Sequence, residues 1–230
     1  MKRIILVGLV LLLLLGGWGV SWLFTDKRAP FFKPIEHYEL ANEFTYLQPE
    51  EVHQVLDRYL GHSFWSVNLE AIQAELTHLD WVNQVEIKRR WPNQIYVKIE
   101  EQSPVARWGD TGLINQLGEV FYPKEHKAFE ELVRLEGASL DSAKILTTLG
   151  KFQQKLSSLG FTVVSLKHQV DGVWQLGLLS GSKIILDAEA EIRALERFVL
   201  AYPQLAEPLI KSPQVYDLRY SNGFIVGKIP

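Results

Sequence analysis

The chain opens on an apolar run, Ile4 to Phe24, without a charged residue. At 1.5 Å rise per residue, about twenty such residues match the roughly 30 Å hydrocarbon core of a bilayer, which predicts a single crossing. Trp18, Trp22 and Phe24 crowd the far end of the run as interfacial aromatics do. The basic start at Lys2 and Arg3, with Gly17 and Gly19 behind it, also fits a cleaved signal peptide; the length of the run and its aromatics favour an uncleaved anchor. Gly17 and Ser21 stand four apart, which either lets a second helix approach or reflects the ordinary tolerance of membrane helices for glycine. Lys27, Arg28 and Lys33 balance Lys2 and Arg3, so local charge does not set the orientation. The N-terminus is placed in the cytoplasm because the folded mass lies on the other side, and large domains translocate largely regardless of charge.

After a linker over 25–34 marked by Pro30 and Pro34, the pattern changes. A strand is predicted over Ile35 to Phe44. Pro49, Glu50 and Glu51 then open a helix whose apolar positions Val52, Val55, Leu56, Tyr59 and Leu60 recur at three and four. Asn68 is a good N-cap for a second helix with Leu69, Ile72, Leu76 and Leu79 on one face. The period then drops to two. Val85, Ile87 and Arg89 alternate with Glu86, Lys88 and Arg90; Trp91-Pro92-Asn93 breaks the chain; Ile95, Val97 and Ile99 follow as the return strand. Beyond Ser103-Pro104 come short strands, Val105 to Trp108, Leu113 to Asn115 and Val120 to Tyr122. A long helix runs from Ser139 to Leu159 with Gly160 as its stop, followed by strands Val173 to Leu179 and Lys183 to Leu186. A helix from Ala188 to Ala201 leads to closing strands Val215 to Arg219 and Phe224 to Lys228.

Composition narrows the chemistry. With 230 residues, 47% of them hydrophobic, the chain can bury one or two cores, and 24 basic against 27 acidic residues give no positive field that would draw it to nucleic acid. The absence of cysteine excludes disulfides, thiol nucleophiles and cysteine-based zinc sites. His37, His53, His62, His78, His126 and His168 form no HExxH or i,i+4 pair, and no GxSxG elbow occurs. Glu100 and Glu101 are neighbours on a strand and point to opposite faces, unlike a glycosidase pair. No cofactor, no metal and no enzymatic activity are expected.

Six words in order suggest a family: Trp81-Val82-Asn83-Gln84-Val85, Arg90-Trp91-Pro92, Glu101-Gln102-Ser103-Pro104-Val105-Ala106-Arg107-Trp108, the turn around Asn115 and Gly118, Trp174-Gln175-Leu176 with Arg197-Phe198 and Tyr202-Pro203, and Tyr216-Asp217-Leu218-Arg219-Tyr220-Ser221-Asn222-Gly223. In that order behind one anchor they resemble the FtsQ/DivIB family of bacterial cell-division proteins. The fold class implied is α+β: a tail 1–3, a transmembrane helix 4–24, a linker 25–34, a POTRA domain 35–103 (strand, helix, helix, strand, strand), and an FtsQ-type β domain 104–230, mixed α/β with a largely antiparallel sheet. The resemblance implies a non-enzymatic scaffold of the divisome, single-pass in the inner membrane at the septum with its bulk in the periplasm, that binds FtsB and FtsL. The partner-binding positions it implies are Arg219, Tyr220, Ser221, Asn222, Gly223 and Phe224, where a strand of FtsB would add to the sheet. Gln84, Ile87 and Arg89 match positions that recruit other division proteins, FtsK among them, although an edge strand guarded by Lys88 to Arg90 reads the same way. Lys228 departs from the aromatic that many relatives carry, Asp171-Gly172 stand where relatives can carry arginines, and the cytoplasmic tail is shorter than usual. An envelope chaperone or transport component bearing a POTRA domain is the alternative. Such proteins carry tandem modules ahead of alternating barrel segments, and no such pattern follows Pro104.

Overall fold

The computed structural model describes residues 33–187 and 191–229. The anticipated membrane span Ile4–Phe24, its tail and most of the linker lie outside the described residues. Among the described residues no helix is long and apolar enough to cross a membrane. The chain divides into two compact units between Gln102 and Ser103.

The first unit contains β1 (His37–Leu40), α1 (Pro49–Leu56), α2 (Leu69–Thr77), β2 (Val82–Arg90) and β3 (Gln94–Glu101). Its sheet has the order β1-β3-β2, with β1 parallel and β2 antiparallel to β3. Alternation on β3 buries Ile95, Val97 and Ile99, and the apolar stripes of the helices bury Val52, Leu56, Ile72 and Leu76. Asn68 caps α2, its side chain accepting from the Ala71 amide at 3.1 Å. The first strand is shorter than its sequence suggests, for a local reason. Asn42 exchanges side-chain bonds with the backbone of Ile99, and the Glu101 carboxylate accepts from the amides of Thr45, Tyr46 and Leu47 at 2.7, 2.8 and 2.6 Å. Side chains thus take over from the ladder.

The second unit contains β4 (Pro104–Trp108), β5 (Gly112–Asn115), β6 (Val120–Phe121), β7 (Arg134–Glu136), α3 (Ser142–Leu156), β8 (Val163–His168), β9 (Trp174–Leu178), β10 (Lys183–Leu186), α4 (Glu191–Ala201), α5 (Glu207–Lys211), β11 (Gln214–Asp217) and β12 (Ile225–Lys228). Single 3₁₀ turns flank α3 on both sides, so the helical stretch spans Ser139 to Leu159, and Gly160 stops it in the left-handed region at φ 73°. The sheet order is β12-β11-β10-β9-β8-β7-β4-β5-β6. Three of its eight pairings, β4 with β7, β7 with β8 and β10 with β11, are parallel; the rest are antiparallel. The core gathers Ile145, Phe152 and Leu156 of α3 and Leu195 and Phe198 of α4 against Leu135, Leu166, Leu176, Ile184 and Tyr216 of the sheet.

Three elements were not anticipated: β7, β8 and α5. The closing strands are also shorter than predicted, ending at Asp217 and starting at Ile225. The Asp217 carboxylate accepts from the Arg219 amide at 3.2 Å, which turns the chain out of the strand two residues early.

Candidate functional site

Strand β12 closes the sheet at one end of its order and pairs only with β11 among the described residues, in the register Tyr216 opposite Val226 and Asp217 opposite Ile225. Its outer row of backbone donors and acceptors is therefore open to another strand. Side chains do little to block that edge: Ile225 is exposed, and Gly227 carries none. At the other end of the order β6 is two residues long, too short to serve as a template.

The segment from β11 to β12 divides its six predicted contact residues into two groups. Tyr220 is half exposed, at 50%, with its backbone carbonyl held by the Arg197 guanidinium at 3.0 Å. Ser221 and Asn222 form the exposed turn, the Ser221 hydroxyl donating to the Asn222 side-chain oxygen. Among the described residues a Cβ on Gly223 would meet no atom within 4 Å, and its φ is not left-handed, so no contact among them demands glycine there. Phe224 instead faces the core, its ring 5.2 Å from Phe198 and 6.4 Å from Tyr216; it holds β12 down. Arg219 is engaged as well. Its Nε and Nη2 donate to the two oxygens of Asp217 at 2.9 and 2.7 Å, a bidentate pairing of guanidinium and carboxylate. An acidic partner group would have to compete with Asp217.

This clamp sets local titration. The hydrogen bonds from Arg219 hold the Asp217 carboxyl below the ordinary carboxylate range, outweighing its partial burial, and Asp217 in turn raises the Arg219 guanidinium, with Asp171 adding to the field. A depressed folded pKa stabilises the fold above the unfolded value, about 4, and the contribution fades as pH falls through the folded value. The acid limb of the melting temperature is therefore expected to be shallower in Asp217→Asn than in the natural chain, and to coincide with it if the clamp contributes nothing.

Asp171 lies in the turn between β8 and β9. Because β8, β10 and β11 run the same way, that turn and the Arg219–Gly223 segment lie at one end of the sheet. The carboxyl ends of the parallel strands β4, β7 and β8 also open there, onto a cleft of about 1000 Å³. Within it Arg134 pairs with Asp110 and Glu136 at 2.8 and 2.9 Å, Lys167 pairs with Glu136 at 3.0 Å, and His168, stacked on Trp174, lies 4.0 Å from Asp141. Among the described residues no group of three or more metal-ligating side chains is assembled.

Residues 33–102 match the POTRA domain, FtsQ-type, and residues 106–219 match the C-terminal domain of cell division protein FtsQ/DivIB. The chain is 30% identical over 208 residues to the cell division protein FtsQ of Coxiella burnetii, covering 90% of this chain and 84% of that one. It is 32% identical over 194 residues to that of Shewanella oneidensis, covering 84% and 74%. Against that of Vibrio cholerae the identity is 31% over 229 residues, covering 96% and 85%. The chain belongs to the FtsQ/DivIB family of cell-division proteins.

In this FtsQ-type chain the C-terminal family match ends at Arg219, so the turn and β12 lie beyond it. In the POTRA unit, β2 is a sheet edge. Gln84 is exposed and Ile87 half-buried there, both lining a shallow hollow with Glu86, Lys98 and Glu100. Arg89 is separated from them in role. Its guanidinium donates to the carbonyls of Phe64 and Val67 at 2.8 and 2.6 Å, fixing the loop ahead of α2.

Proposed function

We propose that this protein is a non-enzymatic scaffold of the bacterial divisome, anchored in the inner membrane by Ile4–Phe24 with its N-terminus in the cytoplasm and its two units in the periplasm. It binds the periplasmic segments of FtsB and FtsL and joins early to late division proteins at the septum. The observation that carries the reading is the open edge of β12, with exposed Tyr220 and unobstructed Gly223 beside it. An added strand gains backbone hydrogen bonds from the edge and selectivity from side chains around it. Within the contact group Tyr220 acts as the anchor, Ser221, Asn222 and Gly223 as the surface under the partner's chain, Arg219 as a fixed charge, and Phe224 as the inner support of the strand. Asp171 adds a negative charge near Arg219, so a partner acid at that place is disfavoured and a base welcomed. Lys228 extends the edge with a cation in place of an aromatic ring. A second surface, Gln84 and Ile87 with Arg89 supporting the adjacent loop, recruits further division proteins such as FtsK.

The test is a titration of the full chain in lipid nanodiscs with the periplasmic parts of FtsB and FtsL from the same organism. Loss of a buried anchor at an interface costs about 2 kcal/mol or more, a factor near thirty in affinity, and that loss is expected for Tyr220→Ala. Absence of binding by the natural chain defeats the scaffold reading. Equal binding by Tyr220→Ala keeps the function and moves the site away from β12.

A further inference from the structure

The end of the POTRA unit that carries the β2–β3 turn is also where its first described residues lie. Strand β1 runs parallel to β3 with His37 opposite Gln94, so both strands start at that end. The Ile35 amide donates to the His62 carbonyl at 2.8 Å and the Gly61 amide to the Ile35 carbonyl at 2.9 Å. On the other side the Glu36 amide donates to the Asn93 carbonyl at 3.0 Å, and the Asn93 side chain to the Glu36 carboxylate at 2.5 Å. Residues 34–36 are thus held between the loop 61–67 and the turn 91–93.

Each of those two segments turns a tryptophan outward. Trp65 is 55% exposed and Trp91 61%, although Phe64 beside Trp65 is buried. Trp65 is not a side chain on a loose loop, because Arg89 fixes the carbonyls on either side of it. At the opposite end of the same unit Trp81 is 6% exposed and stacked on Tyr46 at 4.6 Å, so the unit buries indole where its core offers room. Two ordered, exposed indoles at one end of a small unit need a surface that receives a ring with an apolar body and one polar N–H.

Chain connectivity says which surface is near. Only residues 25–32 separate Phe24, the last residue of the apolar run, from Lys33, and at roughly 3.3–3.6 Å per residue they reach about 30 Å at most. That stretch includes Lys27, Arg28, Phe31 and Phe32, cations and aromatics of the kind that settle among anionic headgroups. We propose that Trp65 and Trp91 sit in the headgroup region of the membrane that the anchor crosses, so that this end of the POTRA unit rests on the bilayer. The proposal depends on the anchor at Ile4–Phe24 and is independent of the FtsB and FtsL site.

The chain contains no cysteine, so single cysteines report on single places. The full chain is reconstituted in vesicles of phosphatidylethanolamine and phosphatidylglycerol with a fluorophore at Ser66→Cys, beside Trp65, and quenched by nitroxide-bearing lipid or by water-soluble iodide. Leu12→Cys, within the anchor, and Leu140→Cys, fully exposed in the second unit, are the lipid and water references. The expected result is lipid quenching at Ser66 well above that at Leu140, lost when Trp65 and Trp91 are both replaced by Ser and retained when both are replaced by Tyr. Retention with Tyr separates lost contact from lost folding. Quenching at Ser66 by iodide alone, with Leu12 protected, overturns the proposal while the anchor stands. Protection at Ser66 that needs added FtsB and FtsL overturns it too, assigning the indoles to a protein partner. If Leu12 is open to iodide, the anchor itself fails and the inference with it, while the closing-strand reading is untouched.

Discussion

Replacing Phe198 by Ala is expected to cost the second unit about 3–5 kcal/mol and to loosen the partner-binding strand at the same time. Phe198 is fully buried on the inner face of α4, and four aromatic rings surround it: Tyr216 at 5.0 Å, Phe224 at 5.2 Å, Tyr202 at 5.3 Å and Phe161 at 6.4 Å. Such a ring cannot be removed without leaving a cavity, because Tyr216 is itself pinned by its hydroxyl bond to the Leu209 carbonyl at 3.0 Å. Burial also holds the Tyr216 hydroxyl well above its ordinary pKa, because the ionised form would lose its hydration there. Phe224 is the link to function, since it joins this cluster immediately before β12 begins. Hydrogen exchange of the full chain, followed in the peptides of β10, β11 and β12, is expected to accelerate by roughly two to four decades, the equivalent of that free energy. Phe198→Leu, which keeps most of the volume, is expected to cost less than about 1.5 kcal/mol. A loss in Phe198→Ala no larger than that in Phe198→Leu means that α4 does not hold the closing strand through this ring.

The periodicity that predicted most of these elements failed where the pleat is interrupted. In β8 the register shifts between Val163 and Ser165, so the buried positions Val163 and Leu166 fall three apart and no alternation is visible. A similar irregularity in β2 leaves both Val82 and Val85 buried, but β2 is long enough for its remaining alternation to show. Strand β7 has three residues and one buried side chain, Leu135; it is defined by its parallel neighbours β4 and β8, which no local pattern contains. The site divides along the same line. That Ser221-Asn222-Gly223 makes a turn is written in the residue types. That β12 is an edge depends on which strands lie beside it, a property of the whole sheet. The occupation of Arg219 by Asp217 two residues earlier, the inward direction of Phe224 and the use of Arg89 as a clamp on two carbonyls are likewise matters of geometry that residue type leaves open.

The turn between β5 and β6 carries the second large effect, at a glycine whose need is steric as well as conformational. Gly118 sits at φ 83°, and a Cβ there would stand 2.5 Å from the Cα and 2.6 Å from the Cβ of Ala143 in the first turn of α3. The contact is locked from both sides. Asn115 folds the turn, its side-chain oxygen accepting from the amides of Leu117 and Glu119 at 2.9 and 3.0 Å, and the Ser142 hydroxyl reaches back to the Gly118 carbonyl at 2.6 Å. Left-handed backbone costs an L-residue about 1–2 kcal/mol and overpacking about 1–3, so Gly118→Ala is expected to lose about 3 kcal/mol or more. Leu117→Ala, next to it and largely exposed, is expected to stay within about 0.5 kcal/mol in the same exchange measurement on α3. Two further variants separate the causes. Gly118→Asn, a residue that tolerates the left-handed region, should recover the conformational part and still collide. Ala143→Gly added to Gly118→Ala removes the side-chain contact but leaves the backbone contact and the φ strain, so it should restore only a fraction. Full recovery in Gly118→Asn means that the turn does not dock on α3, and that glycine is needed at 118 for its backbone alone.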